Sequence, residues 1–150
     1  MTRHPKVLFV CTGNTCRSPY AAAVARRHGL NASSAGLDVD ESAGAADAIA
    51  GAQARGIDLS AHTPRQVTPE MLADADVVVG LGQNHARALG PGSRVLGAGI
   101  DDPYGLGPDA YARAYEQIDR AVSDLVEDLG SDVSRPADAQ SSTSMSRRSG

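Results

Sequence analysis

The stretch Lys6-Val7-Leu8-Phe9-Val10-Cys11-Thr12-Gly13-Asn14-Thr15-Cys16-Arg17-Ser18-Pro19 decides how the chain is read. Its first five residues are a short apolar, β-branched run bounded by turn formers, the pattern of a strand buried on both faces of a parallel sheet. Ser18-Pro19 then opens a helix, with Ser suited to the N-cap and Pro tolerated in the first turn. A strand that feeds a helix through a Gly-Asn turn is the first half of a βαβ unit.

Working outward, the same alternation continues. The first helix runs through an Ala-rich stretch to about His28 and stops at Gly29, and a short strand is expected over Ala32-Ser33-Ser34-Ala35. Ala45 to Arg55 reads as a helix closed by Gly56. A short helix begins at Thr68-Pro69-Glu70 and leads to a buried strand, Asp76-Val77-Val78-Val79. Gln83 to Leu89 is helical, Gly90-Pro91-Gly92 is a turn, and Arg94-Val95-Leu96 is a weaker strand. The last helix is expected from about Pro108 to Leu129, with apolar positions Tyr111, Ala114, Tyr115, Ile118, Val122, Leu125 and Leu129 at spacings of three and four. Strands alternating with helices imply an α/β fold, a parallel sheet joined by right-handed crossovers and covered by helices on both faces. No internal repeat is present. Residues 130–150 hold seven Ser and only Val133 and Met145 as larger apolar residues, so a disordered tail is expected after a domain at 1–129.

Composition narrows the function. The chain has 150 residues, one domain's worth, with 14 Lys plus Arg against 18 Asp plus Glu, a net charge of −4. That balance argues against nucleic acid or an anionic membrane as partner. Val7-Leu8-Phe9-Val10 is far too short for a signal peptide's apolar region or a membrane span, so a soluble cytoplasmic protein is expected. Aromatics are 3% and Trp is absent, which predicts a core of Ala, Val, Leu and Ile. Cys11 and Cys16, five apart, make no disulfide framework, and with His4, His28, His62 and His85 they give no zinc spacing, so no metal is expected.

Two thiols so close together point instead to a reactive site. Ligands of an open parallel sheet bind where strands end and helices begin, and helix N-termini there present free N–H groups to anions. Cys11 stands at a strand end and Arg17 six residues on, so Thr12, Gly13, Asn14, Thr15 and Cys16 can wrap around one phosphate. Their backbone N–H groups bind its oxygens while the guanidinium forks two of them. The same positive field favours a nucleophilic thiolate at Cys11, to which Ser18 can donate its hydroxyl. The Cys-to-Arg spacing alone is common. The strand before it, the Ser-Pro and helix after it and the Gly-Asn within it make it specific.

With these residues in view, the chain resembles a low-molecular-weight protein tyrosine phosphatase over nearly all of 1–129. The motifs are the opening stretch, then Ser34-Ala35-Gly36, then Gly56-Ile57-Asp58-Leu59-Ser60 with His62 and Arg65, and lastly Asp102-Pro103-Tyr104. The resemblance implies a three-layer αβα fold with a four-stranded parallel sheet in the order 2-1-3-4, the phosphate loop after strand 1, and no metal or organic cofactor. It implies Cys11 as nucleophile, Arg17 as phosphate clamp, and Asp102 as the acid that protonates the leaving group and then activates water. Asn14, Ser34 and His62 resemble the network that holds the phosphate loop in shape, and Tyr104 an aromatic wall of the cleft. Cys16 matches a cysteine that pairs reversibly with Cys11 under oxidation, although a small buried hydrophobe opening the helix is an equal reading. Asp101 is the rival acid, and Asp102 has the plainer reading of a residue that starts a Pro turn. Tyr111 and Tyr115 are read as core residues, and Arg147-Arg148 as solvated tail.

Substrate is the open question. The position four after the nucleophile is commonly Ile in tyrosine-specific members, whereas Thr15 resembles the bacterial arginine phosphatases of the family. Tyr104-Gly105 likewise replaces two successive aromatics. Gly80-Leu81-Gly82-Gln83-Asn84-His85 departs from both branches, and Gly82 removes a side chain near the site. The expected function is hydrolysis of phosphotyrosine on a phosphorylated protein through a cysteinyl-phosphate. The alternative is phosphoarginine hydrolysis. A small-molecule phosphatase, an arsenate reductase and a non-catalytic phosphate-binding module are further alternatives.

Overall fold

Alternate residues of a strand leave it in opposite directions, and in the opening strand both directions are apolar. In the computed structural model, which describes residues 5–40 and 46–134, this strand is β1 (Lys6–Cys11) and it lies inside the sheet. It is followed by α1 (Arg17–Arg27), β2 (Asn31–Gly36), α2 (Ala46–Gln53), α3 (Pro69–Asp74), β3 (Val77–Gly80), α4 (Gln83–Leu89), β4 (Arg94–Val95) and α5 (Pro108–Ser134). The four strands form one parallel sheet in the order β2-β1-β3-β4. The architecture is the α/β fold that the resemblance implied.

Val7, Phe9 and Cys11 face a large core shared with α1 and α5, while Leu8 and Val10 face a smaller one built with Val67, Met71 and Leu72. The outer edge of β2 is not left bare. Arg26 Nη1 donates to Ala32 O at 3.0 Å and Arg65 Nη2 to Ser34 O at 3.1 Å, which occupies carbonyls that a foreign strand would otherwise use.

Three expectations are corrected here. The core is not aliphatic alone, since Tyr20, Tyr111, Tyr115 and Phe9 are among its largest fully buried side chains. The Tyr20 and Tyr115 rings stack with centroids 3.9 Å apart, and Tyr111 meets Tyr115 edge-on at 5.9 Å. Buried phenols need partners. Tyr20 donates to Asp119 Oδ1 at 2.7 Å, Tyr115 donates to Cys16 O at 2.8 Å, and the Tyr111 hydroxyl lies 3.1 Å from Cys16 Sγ. The core reading of Tyr111 and Tyr115 therefore holds, with a tie to the opening loop added.

The second correction concerns the start of α1. It begins at Arg17, with Cys16 at the N-cap position making no side-chain cap bond, so Ser18 is not the cap. Its hydroxyl is turned into the site instead. The third concerns α5, which continues to Ser134, past the expected end at Leu129. A single Gly inside a helix costs about 1 kcal/mol, too little to stop one whose preceding turns are already docked on the core. Residues 135–150 of the expected tail, and Ala45 at the expected start of α2, lie outside the described residues.

The Tyr115 hydroxyl ties α5 to the Cys16 carbonyl just before α1. Tyr115→Phe keeps the stack and removes that bond, so denaturant unfolding should show a loss of about 1 kcal/mol with the transition otherwise unchanged.

Candidate active site

The chain leaves the sheet at Cys11 and re-enters regular structure at Arg17, so residues 12–16 must turn tightly at the carboxyl end of the central strand. Asn14 makes the turn. Its φ of 56° is left-handed, and among the described residues no other non-glycine residue has a positive φ. Such a conformation costs about 1–3 kcal/mol and persists only where the surroundings over-determine it. The Asn14 amide donates to Ser18 Oγ at 2.8 Å and to Ser34 Oγ at 2.9 Å, and its Oδ1 accepts the Arg65 N–H at 2.9 Å. Its backbone carbonyl accepts from His62 Nε2 at 2.8 Å, which places a proton on that nitrogen. Gly36 supports the same turn from below. A Cβ there would stand 2.6 Å from Thr12 O and 3.1 Å from Asn14 N, so only glycine lets the loop backbone lie this close to β2.

Cys11 is buried at the floor of the loop, its sulfur 3.0 Å from Ser18 Oγ. Because Ser18 Oγ already accepts from Asn14, its own proton is free to point at the sulfur; the competing acceptor, Ala35 O, is farther away at 3.5 Å. A thiolate there would be met by a hydroxyl donor.

Arg17 is buried too. Its Nη1 donates to Ile100 O at 3.0 Å, and its Nη2 lies 3.7 Å from Asp102 Oδ2. Its Nε is buried with no hydrogen-bond partner among the described residues. A buried guanidinium N–H without an acceptor is costly unless a ligand supplies one. Asp102 is exposed, with Oδ1 accepting the Tyr104 N–H at 3.1 Å. Asp101 points elsewhere, exchanging hydrogen bonds with Gln117 on α5 at 3.2 Å. The two rival carboxylates are thus separated by their partners.

These groups border one cleft of about 250 Å³, lined by Cys11, Thr12, Gly13, Thr15, Cys16, Arg17, Asp40, Asp102 and Tyr104. The structure thereby gathers the residues singled out in the opening loop, together with Asp102 and Tyr104. Asn14, Ser18, Ser34 and His62 stand behind the loop. Tyr104 is 54% exposed and forms one wall. Gly105 after it has a φ of 76°, a backbone that a second aromatic would occupy only under strain. Cys16 is buried in the core cluster, and burial pushes its thiol up despite hydrogen bonds from Tyr111 and Thr15 that pull the other way. Gly82 is not among the residues lining the cleft. Among the described residues no group of His, Cys, Asp and Glu is arranged to hold a metal.

The sequence reading gave no role to four contributors. Asp40 on the rim follows β2 as one of several scattered acids, and nothing in its spacing sets it apart. The Ile100 carbonyl is a backbone group of an irregular segment. Gly36 was visible in a motif, but the backbone atoms it must avoid belong to the loop after β1, more than twenty residues back in the chain. His85, buried at the start of α4, reaches the loop across the sheet edge, with its Nε2 2.9 Å from Thr12 Oγ1. Burial first, and then the Arg17 charge, lower its pKa from 6.5 to about 4.

Comparison with known proteins bears on this geometry. A family model described as low molecular weight phosphotyrosine protein phosphatase matches residues 6–135. Wzb of Salmonella typhi, a low molecular weight protein-tyrosine-phosphatase, is 31% identical over 146 residues, covering 87% of this chain and 98% of that protein. A protein-arginine-phosphatase of Bacillus subtilis is 29% identical over 147 residues, covering 84% of this chain and 97% of its own. Among solved structures, Vibrio vulnificus Wzb in complex with benzylphosphonate superposes with a TM-score of 0.76 at 26% identity, over 84% of this chain and 99% of that one.

Two outcomes follow from the loop's construction. Asn14→Ala removes three side-chain hydrogen bonds and leaves a left-handed alanine, so it should destabilise by about 2–4 kcal/mol in urea unfolding and abolish most phosphate binding. His85 titrates near 6.5 in the unfolded chain and near 4 in the fold, so between those values the unfolded chain binds more protons. Stability should therefore fall as pH drops through that window. The slope of Tm against pH should flatten in His85→Gln.

Proposed function

Since the chain belongs to the low molecular weight phosphotyrosine protein phosphatase family, we propose that it hydrolyses phosphotyrosine on proteins, with Cys11, Arg17 and Asp102 as its catalytic residues. The protein is a cysteine-dependent phosphatase, a hydrolase of phosphoric monoesters. The observation that carries the residue assignment is the cleft, in which Cys11, Arg17 and Asp102 border one space of about 250 Å³.

The phosphate enters the loop, where backbone N–H groups of residues 12–16 and the Arg17 guanidinium take its oxygens and hold the phosphorus above the sulfur. The Cys11 thiolate attacks, an S–P bond forms, and the P–O bond to the leaving group breaks. Asp102 in its acid form gives a proton to the departing oxygen. The same carboxylate, now charged, takes a proton from water, which attacks phosphorus. The S–P bond breaks, the thiolate returns, and inorganic phosphate leaves. Ser18 stabilises that returning thiolate by its hydroxyl, while Asn14, Ser34 and His62 hold the loop in its turn. Tyr104 supplies a face for the ring of the substrate.

Two features favour a second reading, phosphoarginine hydrolysis. Thr15 lines the cleft, and Gly105 stands where a second aromatic would complete a grip on a flat phenol. A relative named protein-arginine-phosphatase supports the same branch. A cysteine nucleophile must stay reduced to act, and a reducing compartment keeps it so, which is why the cytoplasm is the proposed location. No helix among the described residues is long and apolar enough to cross a membrane.

Three measurements test this. Cys11→Ser should remove turnover altogether, and turnover left intact overturns the assignment of the nucleophile. Asp102→Ala should slow esters of poorly acidic alcohols far more than those of acidic phenols, and an equal loss across leaving groups removes its role as acid. The ratio of kcat/KM on matched phosphotyrosine and phosphoarginine peptides then decides between the two substrate readings.

A further inference from the structure

His85 takes no part in the steps above, yet it is fully buried and reaches the loop. Its two ring nitrogens are both engaged, and their partners fix which one carries the proton. The Gly82 N–H donates to Nδ1 at 3.0 Å, so Nδ1 is an acceptor and the proton sits on Nε2. Nε2–H therefore donates to Thr12 Oγ1 at 2.9 Å. Thr12 is the first residue after the nucleophile and borders the cleft. Its carbonyl is held as well, by the Asp38 N–H at 2.9 Å. The opening of the loop is thus gripped from the segment after β2 on one side and from α4 on the other.

We propose that His85 is a positioning residue of the phosphate loop, acting through the Thr12 hydroxyl that it holds. The inference rests on the phosphatase reading of this cleft. Thr12 is β-branched, so fixing its hydroxyl fixes its side-chain rotamer and, with the carbonyl bond, the orientation of the first peptide of the cradle. Accepting from Nε2–H also settles the direction of the hydroxyl's own proton. It cannot point at His85, and it is available to an acceptor on the cleft side. A neutral ring is required for this, because an imidazolium would set a second N–H against the Gly82 N–H. Burial and the neighbouring Arg17 charge keep the ring neutral, against the weaker pull of Asp102.

The test compares His85→Asn, His85→Gln, Thr12→Val and the double variant Thr12→Val with His85→Asn. Asn keeps an acceptor for the Gly82 N–H but is too short to reach Thr12, whereas the Gln amide can stand where Nε2 stood. On para-nitrophenyl phosphate, His85→Asn should lose about 10- to 100-fold in kcat/KM, the effect of a small misplacement of binding groups. His85→Gln should recover much of that loss, Thr12→Val should resemble His85→Asn, and the double variant should be no worse than Thr12→Val. The affinity of each variant for inorganic phosphate should follow the same pattern, and this needs no turnover. A wild type that binds phosphate but turns nothing over, with the same ordering in affinity, would remove the phosphatase reading and leave the inference standing. Losses that multiply in the double variant, or Asn and Gln variants that fall together in step with their Tm, would overturn it. So would phosphate affinity and kcat/KM unchanged in His85→Asn.

Discussion

The loop that joins β1 to α1 depends on one residue, Asn14. The residue sits in a left-handed conformation that only glycine adopts freely. What holds it is a complete set of hydrogen bonds, with the side-chain amide spanning Ser18 and Ser34, the amide oxygen on Arg65, and the backbone carbonyl on His62. The partners come from α1, from β2 and from the segment before α3. The loop is therefore a product of the whole sheet edge rather than of its own five residues.

The central strand makes this possible. β1 is flanked by β2 and β3, so every loop that leaves the carboxyl edge of the sheet next to it is within reach of the cradle. The segment after β2 supplies the Asp38 N–H, the first turn of α4 supplies His85, and the irregular segment after β4 supplies the Ile100 carbonyl and Asp102. Arg17 is shared between the last two of these. Its carbonyl partner fixes the guanidinium while Asp102, at 3.7 Å, stays exposed on the rim of the cleft. Gly36 sets the spacing between β2 and the loop, because any side chain there would collide with the backbone of Thr12 and Asn14.

The other face of the loop is anchored by aromatic residues whose hydroxyls do as much as their rings. Tyr115 packs against Tyr20 and binds the Cys16 carbonyl, and Tyr111 packs against Tyr115 and binds the Cys16 sulfur. A composition with 3% aromatics suggests an aliphatic core, but composition counts residues and not where they are placed. Three of the four tyrosines lie in one cluster under the loop. Helical spacing correctly put Tyr111 and Tyr115 on the buried face of α5. It carried no information about which backbone groups their hydroxyls would meet.

The amino-acid sequence alone determined the alternation of strands and helices, the buried central strand, and the loop from Cys11 to Arg17 at its end, because each of these follows from local periodicity, turn chemistry and spacing within a few residues. Its motif likeness also pointed to Asp102 and Tyr104 and to the support from Asn14, Ser34 and His62. Tertiary structure decided what depends on distance between remote segments. It separated Asp102 from Asp101 by giving the latter to Gln117, turned Ser18 from a helix cap into a partner of Cys11, carried α5 past Gly130, and brought His85 across to Thr12. The reason is physical. A strand or a tight turn is stabilised mostly by its neighbours in the chain, whereas the partner of a buried polar group is whichever donor or acceptor the packed sheet and helices bring within about 3 Å of it.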